Sequence, residues 1–323
     1  MQPGKTRAVI DVGTNSIKLL VGVVEGANVT PLVEQSEQTR LGRGFYTDHM
    51  LRPDAIAATA QAVAGFAEIA RSYAPESVHV IATSAARDAI NKGDLLLAIE
   101  QASGLPVEII SGEQEAAWAY CGATMGGRFD KAPALVVDIG GGSTELNLGN
   151  DGSLRFSKSF PLGTVRLLEM CEVSDPPTAE QEQGCQARLR EFIQEKVQPL
   201  FAEKLAGFLS SNIAFVVTGG TATILGRVHL GLKSYERDRL DGLELDVSTI
   251  RALNHRFWTM SLAERKEIPG MPGKRADVIL GGSAILLALM EMLQLPTAIV
   301  STRGLRFAAL LDGGCAALKN PAA

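Results

Sequence analysis

Hydrophobic positions along this chain follow two spacings, and the order in which the spacings occur repeats. Residues 7–37 carry three apolar runs separated by glycine-containing turns, the pattern of a strand meander. Pro53 to Tyr73 places apolar residues at helical spacing, with Pro in the first turn. Val78 to Ala82 reads as a buried strand. Helices are predicted from Ser84 and over 93–102, a strand over 107–110, and a helix from Ser111 to Met125. The second half runs in the same order: strands over 134–138, 143–149 and 153–160, then helices over 164–171 and 178–209. A strand over 213–217 leads into a helix, and the polar stretch 232–246 reads as loop plus a short strand. Helices over 248–258 and 274–294, a strand over 298–300 and a helix over 304–311 close the chain. Two β-β-β-α-β-α halves predict a duplicated α/β fold with a ligand cleft between them. Met125-Gly126-Gly127-Arg128 is the predicted hinge.

The first strand of each half ends in the same way. Ala8-Val9-Ile10-Asp11-Val12 runs into Gly13-Thr14-Asn15-Ser16, and Leu135-Val136-Val137-Asp138-Ile139 runs into Gly140-Gly141-Gly142-Ser143-Thr144-Glu145. A tight turn of this kind directs backbone N–H groups and hydroxyls toward one point, which suits a phosphate. Glycine permits close approach, and an Asp at the strand end can hold a divalent metal or a water beside the phosphate. Neither copy is a P-loop or a dinucleotide fingerprint, since strand rather than helix follows each turn. An ordinary hairpin also favours Asp and Gly. Two copies, 127 residues apart with Asp at the strand end, favour the chemical reading.

Composition narrows the partners. With 323 residues, 46% hydrophobic, and a net charge of −5, the chain reads as a two-domain soluble protein and not as a nucleic-acid binder. The stretch Met1 to Arg7 lacks the apolar core of a signal peptide, so none is expected, and the longest apolar stretch, Ile279 to Leu295, reads as a buried helix too interrupted to span a membrane. Cys121, Cys171, Cys185 and Cys315 show no metal-ligand spacing, so neither a zinc site nor a disulfide framework is expected and a cytoplasmic setting fits. The four histidines show none either, which argues against His-based catalysis.

Other candidates are strand-to-helix corners. Ser111 and Gln114 have capping-box spacing, which leaves Glu113 in the first turn as a candidate acid or as a complement to the helix dipole. Ser84 is placed to cap the next corner, and Arg87 lies near the positive end of that helix, either for an anion or for an ion pair with Asp88 or another acid. Gly163-Thr164-Val165-Arg166 and Thr218-Gly219-Gly220-Thr221 open helices with Gly and hydroxyls, as anion sites or as simple caps. Lys158, Arg166, Arg237, Arg239, Lys274 and Arg275 either line a path for a polyanion or are scattered solvated charges.

Together with Ala82-Thr83-Ser84-Ala85-Ala86-Arg87, Ile110 to Ala116, Gly163 to Leu167, Gly219 to Ala222 and Arg275 to Ile279, the two turns occur in an order that resembles the exopolyphosphatase/guanosine pentaphosphate phosphohydrolase family. That family belongs to the actin, sugar kinase and Hsp70 superfamily. The resemblance implies two actin-like (ribonuclease H-like) domains, residues 1–125 plus 301–323 and residues 126–300. It implies Mg²⁺-dependent release of terminal phosphate from inorganic polyphosphate or guanosine pentaphosphate. Glu113 would activate the water. Asp138 and Glu145, with Asp11 and Glu113 as further metal candidates, would hold the cation or position the water. Phosphate would lie on Gly13, Thr14, Asn15, Ser16, Gly140, Gly141, Gly142, Ser143 and Thr144, with Arg87, Arg166, Gly220 and Thr221. Gln114 departs from the Glu of many relatives but keeps the capping box. Polyphosphate is the favoured substrate, because the chain is short, shows no guanine pocket and carries basic residues through its second half. A homodimer would lengthen the channel. A sugar-kinase-like phosphotransferase and a non-catalytic polyphosphate or nucleotide sensor are the rival readings. Against the kinase, the candidate base lies in the first half.

Overall fold

The computed structural model describes residues 4–126, 129, 132–150, 153–200 and 213–311. These divide into two compact units, residues 4–126 with 303–311 and residues 129–302.

In the first unit, β1 (Lys5–Val12), β2 (Ile17–Glu25) and β3 (Asn28–Glu37) form the antiparallel meander. β4 (Ser77–Ala82) and β5 (Val107–Ile109) run parallel to β1, in the order β3-β2-β1-β4-β5. The helices are α1 (Pro53–Arg71), α2 (Ser84–Asp88), α3 (Lys92–Ser103) and α4 (Gly112–Thr124). Strand alternation divides the core. Ala8, Ile10 and Val12 pack with α1 and α3, whereas Val9, Leu20 and Ile81 pack with Leu305 and Phe307 of the short helix Leu305–Ala309. That short helix crosses α4 so closely that a Cβ on Gly122 would collide with the Gly304 carbonyl.

The second unit repeats the plan. β6 (Ala134–Ile139), β7 (Thr144–Asn150) and β8 (Ser153–Phe160) form a meander, followed by α5 (Thr164–Cys171) and α6 (Ala179–Phe192). β9 (Ala214–Thr218) leads into α7 (Gly219–Leu230), α8 (Arg237–Leu240), β10 (Glu244–Asp246), α9 (Val247–Trp258), α10 (Leu262–Lys266), α11 (Ile279–Met292) and β11 (Thr297–Val300). The sheet order is β10-β11-β9-β6-β7-β8, which is the first sheet's order with β10 added at the edge. Both meanders also carry a register shift at matching positions, Val21/Gly22 and Leu148/Gly149. A shared bulge of this kind re-aims a strand and is a designed feature. Leu135, Val137 and Ile139 pack in a core with residues of α6, α7, α9 and α11.

The structure alters four expectations. The helix expected over 178–209 begins with the full Thr178/Gln181 capping box and passes into a π-helical turn, Ile193–Val197; residues 201–209 lie outside the described set. The helix expected over 274–294 is two elements, a 3₁₀ turn Gly273–Arg275 and α11 from Ile279. Asp277 accepts from its neighbour, the Val278 N–H, at 2.9 Å, a local bond that competes with helix continuation. Lys274 and Arg275 therefore do not sit at the first turn of α11. Thr83, not Ser84, is the N-cap residue of α2. Finally, Cys121 is disulfide-bonded, against the expectation of scattered thiols, while Cys171 and Cys185 are free. Gly127 and Arg128 of the expected hinge lie outside the described residues. No described helix is long and apolar enough to cross a membrane.

Candidate active site

The two glycine turns have the same backbone. Asp11 lies opposite Lys18 in the β1–β2 register, and Asp138 lies opposite Glu145 in the β6–β7 register. The Gly13 N–H donates to the Ser16 carbonyl at 3.1 Å, and the Gly140 N–H donates to the Ser143 carbonyl at 2.9 Å. The N–H groups of Thr14, Asn15, Ser16, Gly141, Gly142 and Ser143 donate to no acceptor among the described residues. Each turn thus closes with one hydrogen bond and leaves consecutive donors for a ligand.

In the first unit, parallel pairing of β1, β4 and β5 gathers three connections at one edge of the sheet. Asp11 pairs with Ile81, and Ala82 pairs with Ile109. The turn after β1, the Thr83-Ser84 corner and the Ser111-Gly112-Glu113 corner therefore all leave from the carboxyl ends of neighbouring strands, the usual position for a ligand in an α/β sheet. Asp11 is buried, and one carboxylate oxygen, Oδ1, has no hydrogen-bond partner. Burial raises its pKa above the ordinary carboxylate value, and the charges of Lys18 and Arg306 work in the other direction. Asn15 Nδ2 and Ser84 Oγ are likewise buried without partners. Three buried polar atoms without protein partners on adjacent connections suit a polar ligand.

Glu113 is exposed in the first turn of α4, where the Gln114 N–H donates to Ser111 Oγ at 3.1 Å. Arg87 braces this corner. Its Nη1 donates to the Ile110 carbonyl at 3.2 Å and to Glu115 at 2.9 Å. Of the two readings open for Arg87, an anion or an acidic side chain, the structure displays the ion pair, with Glu115 rather than with the more distant Asp88.

In the second unit the turn is held by a helix. The N–H groups of Thr164 and Val165 donate to the carbonyls of Gly140 and Gly141, both at 2.9 Å, and Arg166 Nε donates to the Gly142 carbonyl at 2.8 Å. Thr144 Oγ1 donates to the Leu162 carbonyl. Glu145 is 1% exposed and accepts from Ser159 Oγ at 2.7 Å. The end of β9 lies alongside Asp138, which pairs in register with Thr218. Gly219 has φ +86°, and a Cβ there would overlap Asp138 Oδ1, so both conformation and space require glycine. Arg275 Nη1 approaches to 4.0 Å of the position a Gly220 Cβ would occupy. Burial brings its pKa down to about 10, so it is a cation at neutral pH.

Asp138, Glu145, Gly140 to Thr144, Arg166, Gly219, Gly220 and Arg275 thus belong to one neighbourhood of the second unit. Lys158 does not join it: it pairs with Leu146, so the pleat puts it on the other face from Glu145. Lys274 is exposed. Arg237 donates to Thr302, 65 positions on, and Arg239 to Glu236, three positions back. Sequence reading missed the part of Ser84 as an orphaned hydroxyl and the influence of Arg306 on Asp11. The first lay within a quoted motif; for Arg306, no local signal exists.

No group of three or more His, Cys, Asp or Glu among the described residues is placed to hold a metal ion. Mg²⁺ does not need one. It binds through one or two carboxylates and completes its shell with water and substrate phosphate. Asp11, with an unpartnered oxygen, and the facing pair Asp138 and Glu145 suit that mode.

The chain is similar to known proteins. The family model described as the Ppx/GppA phosphatase family matches residues 19–313. Exopolyphosphatase 2 of Mycobacterium tuberculosis is 32% identical over 298 residues, covering 89% of this chain and 90% of the relative. A crystal structure described as an exopolyphosphatase-like protein superposes with a TM-score of 0.87 at 30% identity, covering 97% of this chain and 98% of that one. The Aquifex aeolicus PPX-GPPA enzyme gives a TM-score of 0.74 at 30% identity, covering 94% and 98%. The repeated sheet, the paired turns and these likenesses make the chain a hydrolase of the Ppx/GppA phosphatase family, with that family's duplicated actin-like α/β fold.

Proposed function

We propose that this enzyme releases terminal orthophosphate from inorganic polyphosphate by attack of water on the end phosphoanhydride. The observation that carries the reading is the pair of turns whose six N–H groups have no acceptor among the described residues. A chain of phosphates presents acceptors of matching number and charge. The exopolyphosphatase names of the relatives support the same substrate.

Glu113 is the base. It stands at a helix N-terminus on a corner fixed by Ser111, Ile110 and Arg87, and a carboxylate there can orient water and accept its proton. The turns bind phosphoryl oxygens through backbone N–H groups, with Arg166, Arg275 and the α7 start at Gly220 and Thr221 adding positive potential. Asp138 and Glu145 of the second unit and, separately, Asp11 of the first are the carboxylates that would hold Mg²⁺, which when bound offsets charge on the phosphoryl oxygens. No Ser, Cys or His nucleophile is required, since phosphoryl transfer to water depends on positioning and charge neutralisation.

The test is phosphate release with Mg²⁺ from long-chain polyphosphate, guanosine pentaphosphate and ATP, for the wild type and Glu113→Ala. We expect release from polyphosphate and a loss of roughly 10²–10⁴-fold in the variant, the usual range for a general base. Release from guanosine pentaphosphate alone would reassign the substrate. Unchanged turnover in the variant would refute the base.

A further inference from the structure

Ser84 carries a buried hydroxyl that neither the fold nor the chemistry above uses. It is the first residue of α2, it is 3% exposed, and its Oγ has no hydrogen-bond partner. Serine at a helix start commonly bonds a nearby backbone group. Here Thr83 is the N-cap residue, its side chain makes no cap bond, and Ser84 makes none either. A desolvated hydroxyl left unpaired costs stability, so its place calls for a partner that is not part of the chain.

Its position in the sheet says which partner. β4 lies between β1 and β5. The Thr83 N–H donates to the Val12 carbonyl at 3.2 Å, and the Ile110 N–H donates to the Ala82 carbonyl at 3.1 Å. The connection that carries Ser84 is thus tied on one side to the strand end that opens the Gly13–Ser16 turn. On the other side it is tied to the residue before the Ser111–Glu113 corner. The first side holds two more buried atoms without partners, Asp11 Oδ1 and Asn15 Nδ2. Gln38 donates to the oxygen end of the Asn15 amide at 3.1 Å, which leaves the nitrogen end as the donor still to be used. The second side holds Glu113.

We propose that Ser84 is a substrate-binding residue whose hydroxyl donates to an oxygen of the terminal phosphoryl group, on the connection between the Gly13–Ser16 turn and Glu113. The assignment rests on the reading of that turn and of Glu113 given above, and adds a residue to it. The turn's N–H groups and Asn15 Nδ2 supply donors from the end of β1. Ser84 supplies one from the neighbouring connection, one strand closer to the base. A hydroxyl suits that place. It can rotate its hydrogen toward a phosphoryl oxygen, and it carries no charge. A lysine or arginine there would bind phosphate more strongly but would also make Glu113 a weaker base, because a nearby cation favours the ionised carboxylate.

Ser84→Ala removes the oxygen and keeps the rest of the side chain. Three measurements on the full-length chain test the proposal: melting temperature, phosphate release from long-chain polyphosphate with Mg²⁺, and calorimetric titration with inorganic phosphate. Glu113→Ala is the control. The variant should melt at or above the wild-type temperature, since a buried hydroxyl without a partner is gone. Phosphate release should fall about 10- to 100-fold, and the dissociation constant for phosphate should rise by up to the same factor, the effect of one hydrogen bond to a charged acceptor. A variant that melts lower would show the hydroxyl to be partnered within the fold and would overturn the proposal. So would unchanged affinity for phosphate. If Ser84→Ala keeps full release while Glu113→Ala loses it, the proposal falls and the polyphosphate reading stands. If the wild type releases nothing from polyphosphate, or Glu113→Ala is fully active, that reading falls and the phosphate titration alone decides Ser84.

Discussion

The two glycine turns are copies in backbone and opposites in charge. At equivalent positions the first pairs Asp11 with Lys18, and the second pairs Asp138 with Glu145. Opposite charges across an antiparallel pair stabilise it, and like charges oppose it by a few tenths to about 1 kcal/mol. The first turn therefore carries its own counter-cation, whereas the second sets two carboxylates against each other and buries one of them. Their supports differ too. Side chain and loop hold the first: Gln38 Nε2 donates to Asn15 Oδ1 at 3.1 Å, and the Arg40 and Gly42 N–H groups donate to the Asn15 and Thr14 carbonyls. The start of α5 holds the second. Duplication kept the donor geometry and changed what each copy attracts. A facing carboxylate pair is a place to look for a divalent cation.

The largest effect is expected from removing the like charge. Glu145→Gln keeps the shape and the partner of Ser159, so the fold survives. With Mg²⁺ we expect phosphate release to drop by about a hundredfold or more, since a metal ligand or water-orienting group is gone. Without divalent cations its melting temperature should equal or exceed the wild type's. A variant that is both active and less stable would show Glu145 to be a structural residue only.

The supports are compared by filling the glycines that abut each turn. A Cβ on Gly163 would lie 2.5 Å from backbone atoms of Gly141 and Gly142, which must then move. A Cβ on Gly42 would overlap first with the Thr14 methyl group, a side chain that can rotate, and meets the Thr14 carbonyl only at 3.2 Å. Gly163→Ala should cost ~1–3 kcal/mol as overpacking does, and Gly42→Ala less. Chemical denaturation of each variant checks the order, and a reversed order would mean that the first turn is the more rigidly held.

Much of this is legible in the sequence. Every strand of both meanders, the Ser111 cap and both turns followed from apolar alternation, Asp, and Gly. What the sequence could not disclose depends on register and long-range approach. Whether Asp138 faces Glu145 is a matter of pairing, and the need for glycine at position 219 appears only when Asp138 is packed against it. Lys158 is a candidate for the polyanion path by its charge alone, and the pleat turns it away from Glu145. The apolar helix predicted over 274–294 was right in hydrophobicity and wrong in its start, because Asp277 bonds the next N–H.

The smallest expected effect concerns the first turn, and its sign follows from burial. Asp11 titrates above its unfolded value of 3.8 because the folded chain desolvates its carboxylate. Between those two values the folded chain holds a proton that the unfolded chain has released, so stability falls as pH rises through that window and stays reduced above it. Asp11→Asn removes the titration while keeping the shape. In chelator-containing buffer the variant should therefore melt higher than the wild type at neutral pH, and the two should converge once the pH falls below 3.8. Adding Mg²⁺ should raise the wild type toward the variant if Asp11 holds the ion, because a ligand of the folded state alone stabilises it. If the variant instead melts lower at neutral pH, Lys18 and Arg306 outweigh desolvation, and the first turn is a satisfied ion pair and not a cation ligand.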